Sequence, residues 1–305
     1  MKPNAIEVFA PAKINLTLHV TGQRNDGYHL LDSLVAFATI GDVVTISEGD
    51  ALTLAVDGPE NDGLPDDMQN LAMRAAALVR QDGAALTLTK NLPASSGIGG
   101  GSADAAAAYR GMLYHTDRTC RDLSSASKSV VGHHAEKLLA LGADIPMCLL
   151  SRSARVTGIG EHIEPLSLPY VPAVLVNSRL PVATPDVFRA LIHRQNASMP
   201  DELPVFQDVE RLIGWLAGMR NDLEAAALKV APVIGDVLGA LTAFGGCKLA
   251  RMSGSGATCF GLFTTPEAAS DVALELGAAH PDWWVKETVL GDQSALATPQ
   301  ADIPD

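Results

Sequence analysis

The chain has 305 residues, of which 47% are hydrophobic and 19% charged, and its formal net charge is −13. This length suggests about two domains, and the composition is typical of a globular protein and too apolar for a disordered chain. The acidic excess argues against binding of nucleic acid, which requires clustered Lys and Arg, but backbone N–H groups and one or two cations can still hold a small anion.

The four cysteines are scattered and none is spaced as Cys-x-x-Cys. We therefore expect neither a zinc site nor a disulfide framework. The N-terminal stretch lacks the apolar core of a secretory signal, and no run of about 18 apolar residues follows it. These features favour a soluble cytoplasmic protein with no membrane partner. A monomer or homodimer is expected, and the sequence does not decide between them.

Strands are predicted to dominate the first third of the chain. Ile14–Val20 alternates apolar and polar residues, and three more apolar segments follow it, LVAFATI, VVTIS and LTLAV. A loop rich in Gly, Pro and Asp (58–67) precedes a predicted helix over Asn70–Arg80. The strand ALTLTK then leads into a glycine loop, with helices predicted over Ser102–His115 and around Asp122–Leu141.

A Gly- and Pro-rich segment, 158–172, marks the predicted boundary between an N-terminal domain (1–160) and a C-terminal domain (161–290). Just before it, Gly142–Leu150 is predicted as a turn and a short apolar run, because Pro146 disfavours a helix interior. The second half is predicted to hold the strands AVLVN, CKLARMS, TCFGLF and WWVKETVL, and helices that begin near Pro185, Asp208, Asp222 and Pro232. Residues 291–305 are expected to form a loose polar tail. The irregular alternation of strands and helices favours an α+β fold.

The segment LPASSGIGGGSADAAAAYR (Leu92–Arg110) sets four glycines against a run of alanines. Glycines allow a backbone to approach a phosphate, and the free N–H groups of a first helical turn point at it. The segment fits neither the Walker A pattern nor the dinucleotide-binding fingerprint. A phosphate cradle and a flexible hinge before an ordinary helix are the two interpretations. Ser102 is a candidate N-cap whose hydroxyl could instead face a phosphate or a magnesium ion.

Three motifs, PAKINLTLHV, PASSGIGGGSADAA and MSGSGATCFGLF, occur in the order in which the GHMP kinases carry theirs, and the chain resembles that superfamily. Four further segments, RNDGYHLLDSLV, GADIPMCL, TPDVF and NDLE, resemble its branch that acts on 4-diphosphocytidyl-2-C-methyl-D-erythritol. The resemblance spans about residues 8–290. It implies two α+β domains with a cleft between them, and a left-handed βαβ unit in the N-terminal domain, against the usual right-handed rule.

The resemblance implies an ATP-dependent kinase that phosphorylates the C2 hydroxyl of this cytidine-diphosphate substrate, in the non-mevalonate route to isoprenoid precursors. Asp144 would accept the hydroxyl proton, and Lys13 would keep that carboxylate ionised. Taken alone, Asp144 is more typical of a turn before Ile-Pro, and Lys13 of a solvated strand. Magnesium would bridge the phosphates, with Ser102 as a possible ligand. The implied ATP contacts are Pro93, Ala94, Ser95, Ser96, Gly97, Ile98, Gly99, Gly100, Gly101, Ser102 and Ala103 at the phosphates, and Asn70, Leu71 and Lys90 near the base.

For the substrate, the resemblance implies contacts from Tyr28 and His29 to the cytosine, with Phe188 on its opposite face and Asn15 and Thr184 on polar groups. Phe188 could instead be a core residue, and Thr184 could be the N-cap of a helix with Pro185 at its first position. Asn221–Glu224 is expected to be a structural cap, and the turn Ser253–Thr258 is expected to line the cleft. Another GHMP kinase, an ATP-dependent decarboxylase of the fold or a non-catalytic binding protein are the alternatives.

Overall fold

The computed structural model describes residues 5–120 and 128–301. Its strands, numbered in chain order, are β1 (Ile6–Asn15), β2 (His19–Gln23), β3 (His29–Ala51), β4 (Thr53–Asp57), β5 (Asp82–Thr89), β6 (Ala154–Gly158), β7 (His162–Pro165), β8 (Val171–Asn177), β9 (Leu249–Met252), β10 (Cys259–Leu262), β11 (Trp284–Gly291) and β12 (Gln300–Ala301). Its helices are α1 (Leu71–Val79), α2 (Gly100–Thr116), α3 (Lys128–Leu141), α4 (Ile145–Leu150), α5 (Thr184–Ala190), α6 (Val209–Ala217), α7 (Glu224–Val230), α8 (Val233–Thr242) and α9 (Pro266–Ala279).

One sheet runs through both halves of the chain, in the order β12-β1-β3-β11-β8-β10-β9, with β2, β5 and β6 also paired to β3. The two halves join where β11 pairs antiparallel with β3, at Leu290 opposite Ala38. The mixture of strands and helices confirms the α+β prediction. The domain boundary near residue 160 stays a prediction.

β4 and β5 form a parallel pair and α1 connects them, which makes a βαβ unit in the first half. The left hand of this unit stays a prediction. Asn70 starts α1 because its side-chain oxygen accepts a hydrogen bond from the Ala72 N–H at 2.9 Å.

The alanine-rich helix α2 lies at the centre of the N-terminal half. Every residue from Ala103 to Leu113 is buried, since small side chains allow close packing on β1, β3, α1 and α4. At Gly111 a Cβ would lie 2.4 Å from Ile46 Cδ1 of β3, so α2 rests directly on the sheet. This packing holds the start of α2, and the glycine loop before it, in a fixed place.

Two predictions about segments of the first half are wrong. Ile14–Val20 is not one strand, because the chain leaves the sheet at Leu16–Leu18, where Leu18 bridges to Asn221. Gly142–Leu150 contains the helix α4, since Pro146 lies in its first turn, where a missing N–H costs no helical bond.

The tail after Gly291 is not loose over its described part. The Gln293 N–H donates to the Ser151 carbonyl at 2.9 Å, and Ala297 is buried. β12 then pairs with β1, with Ala301 opposite Ile6. Within residues 5–120 and 128–301, no helix is both long and apolar enough to span a membrane.

Candidate active site

The glycine loop ends in left-handed backbone conformations that suit glycine. Gly97 and Gly99 have φ of +76° and +67°, and Gly99 is the N-cap of α2. No side chain caps this helix end, so the first N–H groups of a 17-residue helix point outward without a side-chain acceptor. Ser102 is therefore not the N-cap, because it lies in the first turn. The arrangement is an anion cradle.

A second glycine turn, Ser253–Gly256, packs directly on the loop. A Cβ on Gly97 would lie 2.6 Å from the Gly256 carbonyl oxygen, and one on Gly254 would lie 2.6 Å from the Gly97 carbonyl oxygen. The Ser253 hydroxyl donates to that same Gly97 oxygen at 3.1 Å and accepts the Asn15 N–H at 3.1 Å. The two turns thus fix each other and join the two halves of the chain at the site.

Lys13 and Asp144 lie together beneath the loop. Lys13 Nζ is 3.1 Å from Asp144 Oδ2 and donates to Asn15 Oδ1 at 2.8 Å. A Cβ on Gly99 would lie 3.2 Å from Lys13 Cε and 3.6 Å from Asp144 Oδ2. The structure therefore brings the two predicted catalytic residues and the predicted phosphate cradle to one place.

Irregular backbone geometry positions the side chains of Lys13 and Asp144. The register of β1 against β3 shifts between Pro11 and Lys13, which places the Lys13 N–H 2.9 Å from the carbonyl oxygen of Ile98 in the loop. Asp144 is the residue before α4, yet its carboxylate makes no capping bond to that helix. Its side chain is 36% exposed, against 6% for that of Lys13, so the carboxylate is accessible to a ligand.

Two of the three predicted base contacts have their polar groups bonded inside the protein. The Asn70 side chain caps α1 and also donates to the Pro65 carbonyl at 2.8 Å. Lys90 Nζ donates to Asp104 Oδ2 at 2.7 Å and to Asp42 Oδ2, and all three side chains are buried. Leu71 is placed differently, since its Cδ1 would lie 3.8 Å from a Cβ on Gly101 of the loop. An ATP contact at Asn70 or Lys90 stays a prediction. The structure adds no support for it, because the polar groups of both side chains already bond to other groups of the protein.

The buried group Asp42–Lys90–Asp104 supports the loop from below. Burial disfavours the Lys90 ammonium, but the Asp104 and Asp42 carboxylates outweigh this and raise its pKa. Burial and the Asp42 charge raise the pKa of Asp104 well above its usual range. Asp42 Oδ1 also accepts the N–H groups of Asn91 and Leu92, at 2.6 and 2.9 Å. The glycine loop therefore begins from an anchored segment.

Of the predicted cytosine contacts, Tyr28 directly precedes β3, His29 is the first residue of β3 and Phe188 lies on α5. His29 stacks on Phe188 with ring centroids 4.6 Å apart and planes 25° from parallel. Burial, with the Arg194 charge, lowers the pKa of His29 and favours the neutral imidazole. Its Nε2 is buried and has no hydrogen-bond partner among the described residues. Tyr28 is 58% exposed beside them. A neutral imidazole and an exposed aromatic ring are suited to a planar polar base.

Thr184 is not an N-cap, because the cap of α5 is Ala183 and makes no side-chain bond. The Thr184 hydroxyl lies 2.8 Å from the Ser255 hydroxyl, which connects α5 to the second glycine turn. Asn221 donates to the carbonyls of Met252 and Gly254, at 2.8 and 2.9 Å, so it braces that turn besides preceding α7. The sequence motif NDLE predicted a helix cap, but nothing in it predicted that Asn221 would bond to the second glycine turn.

Magnesium and ATP fit the donors at this site. Magnesium prefers oxygen ligands, and the Ser102 hydroxyl, in the first turn of α2, is an oxygen donor beside the cradle. A Cβ on Gly142, two residues before Asp144, would lie 3.5 Å from Ser102 Oγ. A Cβ on Gly97 would collide with the Ser253–Gly256 turn, so the loop keeps its close approach to that turn only with glycine there. The uncapped N–H groups at the start of α2 suit phosphate oxygens.

Comparisons with known proteins identify the family. The family model described as GHMP kinases N terminal domain matches residues 70–152, and that described as GHMP kinases C terminal matches residues 202–282. A Roseobacter denitrificans protein named 4-diphosphocytidyl-2-C-methyl-D-erythritol kinase is 52% identical, over 98% of this chain and 98% of its own. The chain belongs to the 4-diphosphocytidyl-2-C-methyl-D-erythritol kinase family of GHMP kinases.

Two other members of this kinase family are also similar to the chain over nearly its full length. A Ruegeria pomeroyi protein of the same name is 51% identical, over 92% of this chain and 97% of its own. The crystal structure of a 4-(cytidine 5'-diphospho)-2C-methyl-D-erythritol kinase superposes with a TM-score of 0.71 and 34% identity, over 93% of this chain and 99% of that one. The protein is thus a small-molecule kinase with the two GHMP kinase domains.

Proposed function

We propose that the protein transfers the γ-phosphoryl group of ATP to the C2 hydroxyl of 4-diphosphocytidyl-2-C-methyl-D-erythritol, as the names of its relatives indicate. One observation carries the proposal: the Lys13–Asp144 pair, with Nζ and Oδ2 3.1 Å apart, lies directly beneath Gly99 at the uncapped start of α2. A base and a phosphate cradle are the two parts that transfer to a hydroxyl requires.

Each residue has a distinct role in this proposal. The N–H groups of the loop and of the first turn of α2 hold the ATP phosphates. Asp144 takes the proton of the C2 hydroxyl as the new P–O bond forms and the bond to ADP breaks. The Lys13 ammonium lies beside the Asp144 carboxylate, where it stabilises developing negative charge, and is itself oriented by Asn15. Mg²⁺ would supply neutralisation of phosphate charge, and the Ser102 hydroxyl would be its ligand from this chain.

The cytidine side provides specificity. His29, neutral and stacked on Phe188, has an unpartnered ring nitrogen for the cytosine edge, and Tyr28 provides an exposed face. Substrates of other GHMP kinases lack this base, so we expect them to bind weakly.

An assay with purified protein tests the proposal. With MgATP and the cytidine-diphosphate substrate, ADP should form together with a product whose C2 carries a phosphate monoester, detected by ³¹P NMR. Mevalonate and homoserine serve as comparison substrates. ADP formation with either of them, and none with the cytidine compound, would overturn the proposal.

A further inference from the structure

Arg110 is a buried cation at the junction of the elements that carry the site. It lies in α2, is 4% exposed, and no carboxylate lies within salt-bridge distance of it among residues 5–120 and 128–301. Burying a charge without an opposite charge is costly, so its retention requires other partners.

The partners of Arg110 are backbone carbonyls. Its Nη1 donates to the carbonyls of Cys148 and Leu149, at 2.8 and 3.2 Å, and to Ser151 Oγ at 3.3 Å. Its Nη2 donates to the Phe9 carbonyl at 3.1 Å. Cys148 and Leu149 lie in the last turn of α4, where the carbonyl ends of the helix favour a cation, and the Cys148 carbonyl also accepts the Ser151 hydroxyl at 2.8 Å. Phe9 belongs to β1. Burial lowers the pKa of Arg110 to about 10, which leaves it charged at neutral pH.

These bonds connect three elements, each of which carries one part of the site. α2 begins at the glycine loop, α4 begins directly after Asp144, and β1 carries Lys13. We propose that Arg110 is a positioning residue, which sets the Lys13–Asp144 distance by fastening the far end of α4 to β1 and α2. This proposal rests on the proposed function, in which that pair is catalytic.

The shape of α4 makes this control direct. The helix has six residues, so a shift at its last turn moves Asp144 at its other end almost rigidly. A displacement of about 1 Å at a reacting group lowers a rate by up to about 100-fold. The planar guanidinium reaches α4 through Nη1 and β1 through Nη2, whereas a lysine ammonium would carry its three N–H donors on a single nitrogen.

The test compares three variants with the wild type, by steady-state kinetics with MgATP and the cytidine-diphosphate substrate and by thermal unfolding. Arg110→Met removes every bond, and Arg110→Lys keeps the charge. Arg155→Met is the matched control, because Arg155 donates to the carbonyls of Pro200 and Asp201, at 3.0 Å each, and to Asp32.

We expect Arg110→Met to lower kcat about 10- to 100-fold while both KM values stay within about threefold, with Arg110→Lys between it and the wild type. Arg155→Met should lose thermal stability and keep kcat. If Arg110→Met does not fold, Arg110→Lys decides alone. Equal kcat in the folded Arg110 variants and in Arg155→Met, with an active wild type, would overturn the positioning role only. An inactive wild type would overturn the proposed function and this inference with it.

Discussion

Two lysines lie beneath adjacent residues of the glycine loop, and each faces carboxylates. Lys13 is under Gly99 and pairs with Asp144, while Lys90 is under Gly100, where a Cβ would lie 3.6 Å from its Nζ. Both lysine side chains are nearly inaccessible, at 6% and 4% exposed. Their partners differ: Asp144 is 36% exposed, whereas Asp42 and Asp104 are 0% and 5% exposed.

Under the proposed function, exposure of the carboxylate, not of the lysine, distinguishes the pair that acts on the substrate from the group that supports the loop. The Asp144 carboxylate can meet a hydroxyl from the cleft. The carboxylates of Asp42 and Asp104 contact Lys90 and, through Asp42, the N–H groups that start the loop. We therefore assign chemistry to the Lys13 pair and support of the loop to the Lys90 group.

The largest expected effect is the loss of the base. Asp144→Asn keeps the shape of the side chain but removes the proton acceptor, so kcat should fall about 10²- to 10⁴-fold. Binding of ADP, measured by calorimetry, should change little, because the loop and α2 are untouched. Turnover within a few-fold of the wild type would show that Asp144 is not the proton acceptor. It would also contradict the assignment of a chemical role to the Lys13 pair and a structural role to the Lys90 group.

Replacing each lysine by methionine tests the comparison directly. Lys90→Met leaves two buried carboxylates without a cation and should lower the free energy of unfolding by about 3 to 5 kcal/mol. Lys13→Met leaves a carboxylate that water can reach, so it should cost much less stability but abolish most of the activity. Urea unfolding and ADP release measure the two effects. Similar stability losses in both variants would contradict the assignment.

Much of this site could be predicted from sequence, because its motifs are local. The glycine loop is visible in one short segment, whereas PAKINL and GADIP point to Lys13 and Asp144 only through the resemblance to the GHMP kinases. The Lys90 group could not be predicted, since Asp42, Lys90 and Asp104 come from β3, the end of β5 and α2 and meet only after folding. The same holds for Arg110, whose bonds join three elements, and for the segment after Gly291, whose polar composition gave no sign of its pairing with β1.

The loop between the two lysines should tolerate no side chain at Gly97. Gly97→Ala combines a φ of +76° with a Cβ only 2.6 Å from the Gly256 carbonyl oxygen, so the loop must move. We expect the KM for ATP to rise about 10-fold, equivalent to about 1.4 kcal/mol. Gly63→Ala is the control, because Gly63 has a φ of +70° but nothing within 4 Å of its Cβ. If both variants raise the KM alike, the contact between the glycine turns is not what shapes the cradle.

The smallest effect concerns Asn70, which like Lys90 has side-chain bonds within the protein. Its oxygen caps α1 and its amide nitrogen holds the Pro65 carbonyl, so Asn70→Ala should lower the free energy of unfolding by about 1 kcal/mol. Asn70→Asp keeps the capping oxygen and should recover most of that loss. If Asn70 instead binds the nucleotide base with its amide, the KM for ATP should rise in both variants, whether or not stability recovers. Measuring KM and urea unfolding together therefore separates a cap from a ligand, because only the capping role predicts that aspartate restores what alanine removes.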